Sequence, residues 1–255
     1  MSVFGDYSRY YDLLYRDKDY RAETDFITSL LARHAPGAHE ICELGCGTGH
    51  HAVLLAEMGH AVHGVDISET MLEAAHRRRI GQPAEIASRL RFSAGDVRTA
   101  QLQATFDAVL SLFHVVSYQT SNDNLLEMFR NAAVHLRPGG IFVFDYWYGP
   151  AVLTQRPATR VKRMESADIS VTRLAESELL VNESLVDVRY HVFVRDKATD
   201  HVKELRETHR MRYLFATEID FLARHAGFHH LQSCEWMSGA EPSSETWGVC
   251  SVLRK

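Results

Sequence analysis

Three glycines at alternate positions, Gly45, Gly47 and Gly49, follow an acid, Glu43, at the end of an apolar run. That spacing lets a backbone turn sharply and lets a ligand come close to it. Further acids stand at comparable places downstream. Asp66 ends the run Ala61-Val62-His63-Gly64-Val65, Asp96 follows Gly95, and Asp145 ends Ile141-Phe142-Val143-Phe144. Asp66 lies about twenty residues past the glycines, the distance at which a carboxylate grips ribose hydroxyls. This alone does not separate a dinucleotide from another adenosine ligand. The glycines do: a dinucleotide loop places its third Gly one position later, where this chain has His50. Glu43 would repel a pyrophosphate, yet it suits the cationic tail of an amino acid.

The elements that must hold these groups follow from periodicity. Asp6 to Tyr15 carries Tyr7, Tyr10, Tyr11, Leu14 and Tyr15 at helical spacing, and Tyr20 to His34 repeats the pattern up to Pro36-Gly37. The tyrosines are either plain packing or an aromatic lid over a ligand. From Glu40 strands and helices alternate. Strands are expected at 40–44, 61–66, 90–94, 106–112 and 141–145, and helices at 50–58, from Ser68, and at 122–135. Such alternation implies an α/β fold with a doubly wound, mostly parallel, Rossmann-like sheet, whose ligands bind at the carboxyl ends of the strands. His76-Arg77-Arg78-Arg79 reads as the cationic last turn of a helix facing solvent.

After Gly149-Pro150 the period changes to two. Val186 to Arg195 alternates apolar and polar, as in a strand with one wet face, and Val202 to Leu214 runs back. Residues 151–210 are therefore expected to form a small antiparallel β insertion, contributing to a substrate pocket or an oligomer interface. Residues 1–150 and 211–255 form the ligand-binding domain. A helix at 217–225 and two final strands, at 228–237 and 248–254, expected as an antiparallel pair at the sheet edge, complete it.

The 255 residues are 45% hydrophobic and 24% charged, with a net charge of -5. One globular unit with an insertion suits that length. The acidic balance disfavours nucleic acid as a partner. No apolar run approaches a membrane span, and Met1 to Asp6 shows no signal-peptide pattern. Cys42, Cys46, Cys234 and Cys250 form no CxxC pair and read as reduced thiols of a cytoplasmic protein. His50-His51 and His229-His230 lack a completing acid or Cys at ligand spacing, so no metal site is expected.

At these residues the chain resembles the class I S-adenosylmethionine-dependent methyltransferases. Glu43-Leu44-Gly45-Cys46-Gly47-Thr48-Gly49 is similar to their first motif and Gly64-Val65-Asp66-Ile67-Ser68 to their second. Gly95-Asp96-Val97 resembles the adenine-side motif, and Leu136-Arg137-Pro138-Gly139-Gly140 the turn before the fifth strand. A narrower resemblance is to N,N-dimethyltransferases of nucleotide-linked amino sugars. It rests on Tyr11-Asp12-Leu13-Leu14-Tyr15 with Lys18-Asp19-Tyr20, on Ser111 to Tyr118, and on the late insertion. Where that group tends to carry a His in the loop after strand four, this chain has Tyr118. Where it reads Glu-Pro-Trp-Trp after strand five, this chain reads Asp145-Tyr146-Trp147-Tyr148.

The resemblance implies S-adenosylmethionine as cofactor. Tyr11, Tyr15, Tyr20, Glu43, Gly45, Gly47, Asp66, Ile67, Met71, Asp96, Val97 and Leu112 are its expected contacts. In-line methyl transfer needs alignment of an acceptor against the sulfonium methyl, which tyrosine faces can stabilise. Tyr118, Asp145 and His114 are the candidates to line the acceptor pocket or act as base. Arg189, His191 and Arg210 either meet an anionic substrate or form the wet face of a sheet. A small-molecule acceptor is expected, an amino sugar ahead of an O-methylated metabolite, and a homodimer is possible. A non-catalytic adenosyl-binding module and a nicotinamide dehydrogenase are the competing readings.

Overall fold

The computed structural model describes residues 8–255. Met1 to Asp6, on which the leader reading rests, and Tyr7 of the expected aromatic helix lie outside the described residues. Strands β1 (Glu40–Leu44), β2 (Ala61–Asp66), β3 (Leu90–Ala94), β4 (Phe106–Ser111) and β5 (Leu136–Tyr148) run parallel in the order β3-β2-β1-β4-β5. The central strands β1, β4 and the 141–146 stretch of β5 are buried almost throughout because helices cover both faces, whereas the edge strand β3 is only partly buried. On one face lie α2 (Tyr20–His34) and α3 (His50–Glu57), where Ile27, Leu30 and Leu55 pack on Ile41 and Val143. On the other lie α6 (Asn122–His135) and α8 (Ala216–His225), where Phe129 and Ile219 join Leu44, Phe142 and Phe144.

Caps set the helix starts. Ser68 accepts from Met71 N ahead of α4 (Glu69–Ile80), and Ser121 accepts from Asn124 N ahead of α6. The turn expected at Arg137 to Gly140 is absorbed into β5 as an irregularity: the register against β4 jumps between Phe106 and Ala108. The helices α5 (Ala84–Ser88) and α7 (Gly149–Gln155) were not legible; α5 buries none of its residues, so it carries no periodic signal. At the far side β11 (Gly248–Arg254) pairs antiparallel with β5 along 141–147, and β10 (His229–Glu235) covers β11.

The segment after α7 folds as an antiparallel meander of β6 (Arg160–Glu165), β7 (Ile169–Leu180), β8 (Leu185–Asp196) and β9 (Val202–Leu214). Tyr213 and Leu214, at the end of β9, pair in parallel with Trp147 and Tyr148 of β5, joining the eleven strands of the described residues in one sheet. One face of the meander packs on α1 (Ser8–Leu14): Tyr10 and Leu14 sit against Val171, Val192 and Val194. The insertion thus leans on the N-terminal helix beside the carboxyl ends of the parallel strands. Among the described residues no helix is long and apolar enough to cross a membrane.

Candidate active site

The glycine loop is tied to β2. Gly45 N and Cys46 N donate to Val65 O at 2.7 and 3.0 Å. Gly45, Gly47 and Gly49 have φ of +80°, +53° and +76°, a region that side chains rarely enter. Their surroundings differ. A Cβ on Gly45 would lie 2.6 Å from Val115 Cγ2, whereas one on Gly47 would meet nothing within 4 Å. Asp66 secures the loop. Its Oδ2 accepts from Gly47 N and its Oδ1 from Ser68 N, each at 2.8 Å. Burial pushes this carboxyl up, and those backbone donors pull it back. Beside it Ile67 is exposed and Met71 buried. Asp96 is paired with Arg98, whose hydrogen bonds hold its carboxyl below the usual range.

Glu43 is 1% exposed. Its Oε1 lies 3.6 Å from His51 Nδ1, and its Oε2 has no hydrogen-bond partner. Burial and then the nearby Asp66 push its pKa up to about 8, against the pull of Lys18. His51 Nε2 in turn lies 2.8 Å from Glu23 Oε2, which also pairs with Lys18. Burial works to raise Glu23, but His51 and Lys18 outweigh it and hold it at about 2. The Lys18 ammonium sits 4.2 Å from the Tyr20 ring centre and 4.4 Å from that of Phe113. An unpartnered buried carboxylate oxygen beside an open glycine cradle fits the cationic tail of an S-adenosyl amino acid.

The helix α1 is bolted to this loop. Asp12 accepts from Thr48 Oγ1 at 2.8 Å and from Arg78 Nη2 at 2.7 Å, and Arg78 Nε donates to Thr48 O. Arg78 therefore does not simply face solvent with its neighbours; it turns back to clamp the loop. Tyr11, Tyr15 and Phe113 form a wall, with ring centres 4.7 Å apart for Tyr11 and Tyr15 and 5.1 Å for Tyr15 and Phe113. Tyr20 stacks on His50 at 4.4 Å.

The loop after β4 carries the acceptor-side candidates. Phe113 and His114 both have φ of +64°, which costs about 1–3 kcal/mol at each non-glycine position. Asp145, 1% exposed, holds them there: both its oxygens accept from His114 N at 3.1 Å, and Oδ2 lies 2.6 Å from His114 Nδ1. Three residues past His114, Ser117 Oγ accepts from Trp147 N at 3.0 Å. Tyr118 then meets the insertion. Its Oη is 2.7 Å from His209 Nδ1, and His209 Nε2 is 3.2 Å from Glu207 Oε2. Burial raises the Tyr118 hydroxyl well above its usual pKa. The Tyr190 ring centre lies 4.7 Å from that of His209. Arg173 lies over Tyr190 at 4.7 Å and donates to Tyr15 Oη at 3.1 Å.

His114, Tyr118 and Asp145 thus share one neighbourhood with Tyr11 and Tyr15, and Val115 links them to Gly45. Arg189, His191 and Arg210 do not join them. They lie on the opposite face of the meander, paired with Glu178, Glu204 and Asp187. The inward groups that the sequence reading missed are Arg173, Tyr190, Glu207 and His209, with Lys18, Glu23 and His51 on the donor side. The alternation of 186–195 already places Tyr190 on the apolar face. The register of β9 against β8, which sets His209 opposite Val188, was not legible. Among the described residues no group of three or more His, Cys, Asp or Glu is placed to hold a metal.

Residues 41–140 match the family model described as a methyltransferase domain. The chain is 30% identical to a dTDP-4-amino-2,3,4,6-tetradeoxy-D-glucose N,N-dimethyltransferase of Saccharopolyspora spinosa, over 75% of this chain and 74% of that one. It is 27% identical to a dTDP-3-amino-3,6-dideoxy-alpha-D-glucopyranose N,N-dimethyltransferase of Streptomyces fradiae, over 92% and 87%. In fold it matches the sugar N-methyltransferase KedS8 from a Streptoalloteichus species with a TM-score of 0.81, at 24% identity, over 100% of this chain and 97% of that one.

Proposed function

The chain belongs to the S-adenosylmethionine-dependent methyltransferases, and we propose that it methylates the amino nitrogen of a nucleotide-linked sugar. S-adenosylmethionine supplies an electrophilic methyl on a sulfonium. In this reading Glu43 holds the cationic tail, Gly45 and Gly47 let the backbone approach, and Asp66 and Ile67 take the ribose and adenine side with Asp96, Val97, Met71 and Leu112. Tyr11, Tyr15 and Tyr20 close over it and exclude water, which strengthens every charge interaction inside. The acceptor is aligned from the other side by Tyr118 and by His114, whose ring Asp145 keeps in place.

The observation that carries the reading is the inward face of the insertion. Arg173 bonds Tyr15, which packs on Phe113, and His209 bonds Tyr118, so β7 and β9 reach both ends of the loop that carries His114, paired with Asp145, and Val115, set against Gly45. Polar and aromatic side chains with the Arg173 cation among them suit a sugar joined to an anionic nucleotide. The acids Asp145 and Glu207 favour an amine over a neutral hydroxyl there. The relatives from Saccharopolyspora spinosa and Streptomyces fradiae are both named for dTDP-linked amino sugars.

The test is mass analysis of dTDP-linked amino sugars incubated with S-adenosylmethionine and the protein. One or two added methyl groups on nitrogen are expected, and Asp145→Asn is expected to slow kcat about 100-fold. Methylation of a hydroxyl acceptor with none on any amino sugar would overturn the proposal.

A further inference from the structure

We propose that Tyr118, His209 and Glu207 form a relay that removes a proton from the acceptor nitrogen, with Tyr118 as the catalytic residue and the two insertion residues acting through it. The inference rests on the amine-acceptor reading above and assigns a step which that reading leaves open. A sugar amine is largely an ammonium near neutral pH and has no lone pair to attack with. The mono-methylated product carries a positive charge again, so each further methyl requires another proton to leave. Catalysis at nitrogen therefore needs an exit for protons from a closed pocket.

The geometry supplies one. Glu207 as a carboxylate only accepts hydrogen bonds, so His209 presents an Nε2–H to it across 3.2 Å. The neutral ring is then left with a lone pair on Nδ1, 2.7 Å from Tyr118 Oη. The tyrosine hydroxyl donates to Nδ1, and a hydroxyl oxygen is chemically able to accept a proton as it gives one up. In the step, the acceptor ammonium passes a proton to Tyr118 Oη as Tyr118 passes its own proton to Nδ1. The amine lone pair freed in this way forms the C–N bond, the donor's C–S bond breaks, and its electron pair stays on sulfur. The imidazolium is balanced by Glu207, whose side chain is 14% exposed against 2% for His209, so the proton leaves for solvent on that side.

The arrangement is specific in its parts. Tyr118 comes from the loop after β4, and its partners come from β9, so the chain closes the relay only when the insertion is folded against the parallel sheet. Among the described residues, Tyr190 of β8, whose ring meets that of His209, and Arg173 of β7, which lies over Tyr190, also pack near the imidazole. Tyr15 adds a further hydroxyl, bonded to Arg173. A raised Tyr118 pKa keeps that hydroxyl protonated through the working range, as a relay requires and as a free phenolate base would not.

The experiment compares turnover of a dTDP-linked amino sugar by the parent, Tyr118→Phe, His209→Gln and Glu207→Gln between about pH 6 and about pH 10, a range spanning imidazole and alkyl-amine titration. Near neutral pH, Tyr118→Phe and His209→Gln are expected to lose about 100-fold in kcat. The deficit should fade toward high pH, where the acceptor ammonium loses its proton to solvent without help. Glu207→Gln should lose less, because the glutamine amide oxygen can still accept from His209 Nε2–H and hold the tautomer. A structural role would give a deficit equal at every pH, and that result, or no deficit, overturns the relay. Imidazole nitrogen NMR of the parent, assigned by the signal lost in His209→Gln, should show the Nε2–H tautomer; an Nδ1–H tautomer overturns the relay without any acceptor present. A parent that turns over no amino sugar overturns the acceptor reading instead, and the tautomer then decides the relay.

Discussion

Replacing Glu43 with glutamine separates the cost of burying this carboxyl from its use. In the folded chain burial and Asp66 raise its pKa from 4.5 to about 8. Between those values the folded chain retains a proton that the unfolded chain has released, so stability falls as pH rises through that window. The gap, at about 1.4 kcal/mol per pH unit, sets an upper bound of about 5 kcal/mol once the group is fully ionised. Glutamine keeps the shape and does not titrate. Melting curves of the parent and Glu43→Gln should therefore coincide near pH 5 and diverge toward pH 9, the variant becoming more stable. A difference of about 1 kcal/mol would appear as about 2–4 °C in a chain of this size. Donor binding should go the other way. A cationic tail meeting Oε2 favours the carboxylate, so calorimetry in buffers of different ionisation enthalpy should show the parent releasing a proton on binding S-adenosylmethionine near pH 7. Glu43→Gln should release none and bind at least about 10-fold more weakly, as expected for losing a charge-assisted hydrogen bond. Equal pH slopes in the two proteins, or proton uptake on binding, would refute the reasoning.

Two glycines with similar backbones should fail differently. Gly45→Ala drives a methyl into Val115 and should cost about 1–3 kcal/mol in urea unfolding. Gly47→Ala meets no neighbour and should cost about 1 kcal/mol of left-handed strain while weakening donor binding more than 10-fold; equal effects on stability and binding in both would contradict the cradle. Asp12→Ala breaks the bonds to Thr48 and Arg78 at a half-exposed site. It should change stability by less than about 1 kcal/mol yet raise the donor KM several-fold and speed proteolysis within residues 8–18. An unchanged KM would show that α1 does not hold the donor site shut.

The parallel half of the fold was legible because its signals are local. β1, β2 and β4 are short, largely apolar runs, β2 ends in an acid, and Ser68 and Ser121 mark helix starts through their own hydroxyls. Alternation exposed the insertion for the same reason. The terminal pair was legible as strands, but its seat beside β5 was not, since nothing local in Gly248 to Arg254 names its neighbour.

The sequence by itself determined the donor and its loop. Alternating glycines after Glu43, with acids closing successive strands, need only the order of the chain to specify a turn, a cradle and a place for a cation. Only the tertiary structure decided what the acceptor meets. Arg78 could be placed on the loop only once α1 lay over it, and Arg173, Tyr190 and His209 could be placed inward only once β7, β8 and β9 had their register and their packing against the sheet. A strand's period of two says which residues share a face, but which face turns toward the site depends on contacts between residues far apart in sequence. Tyr118 and His209, ninety-one positions apart, are one such contact.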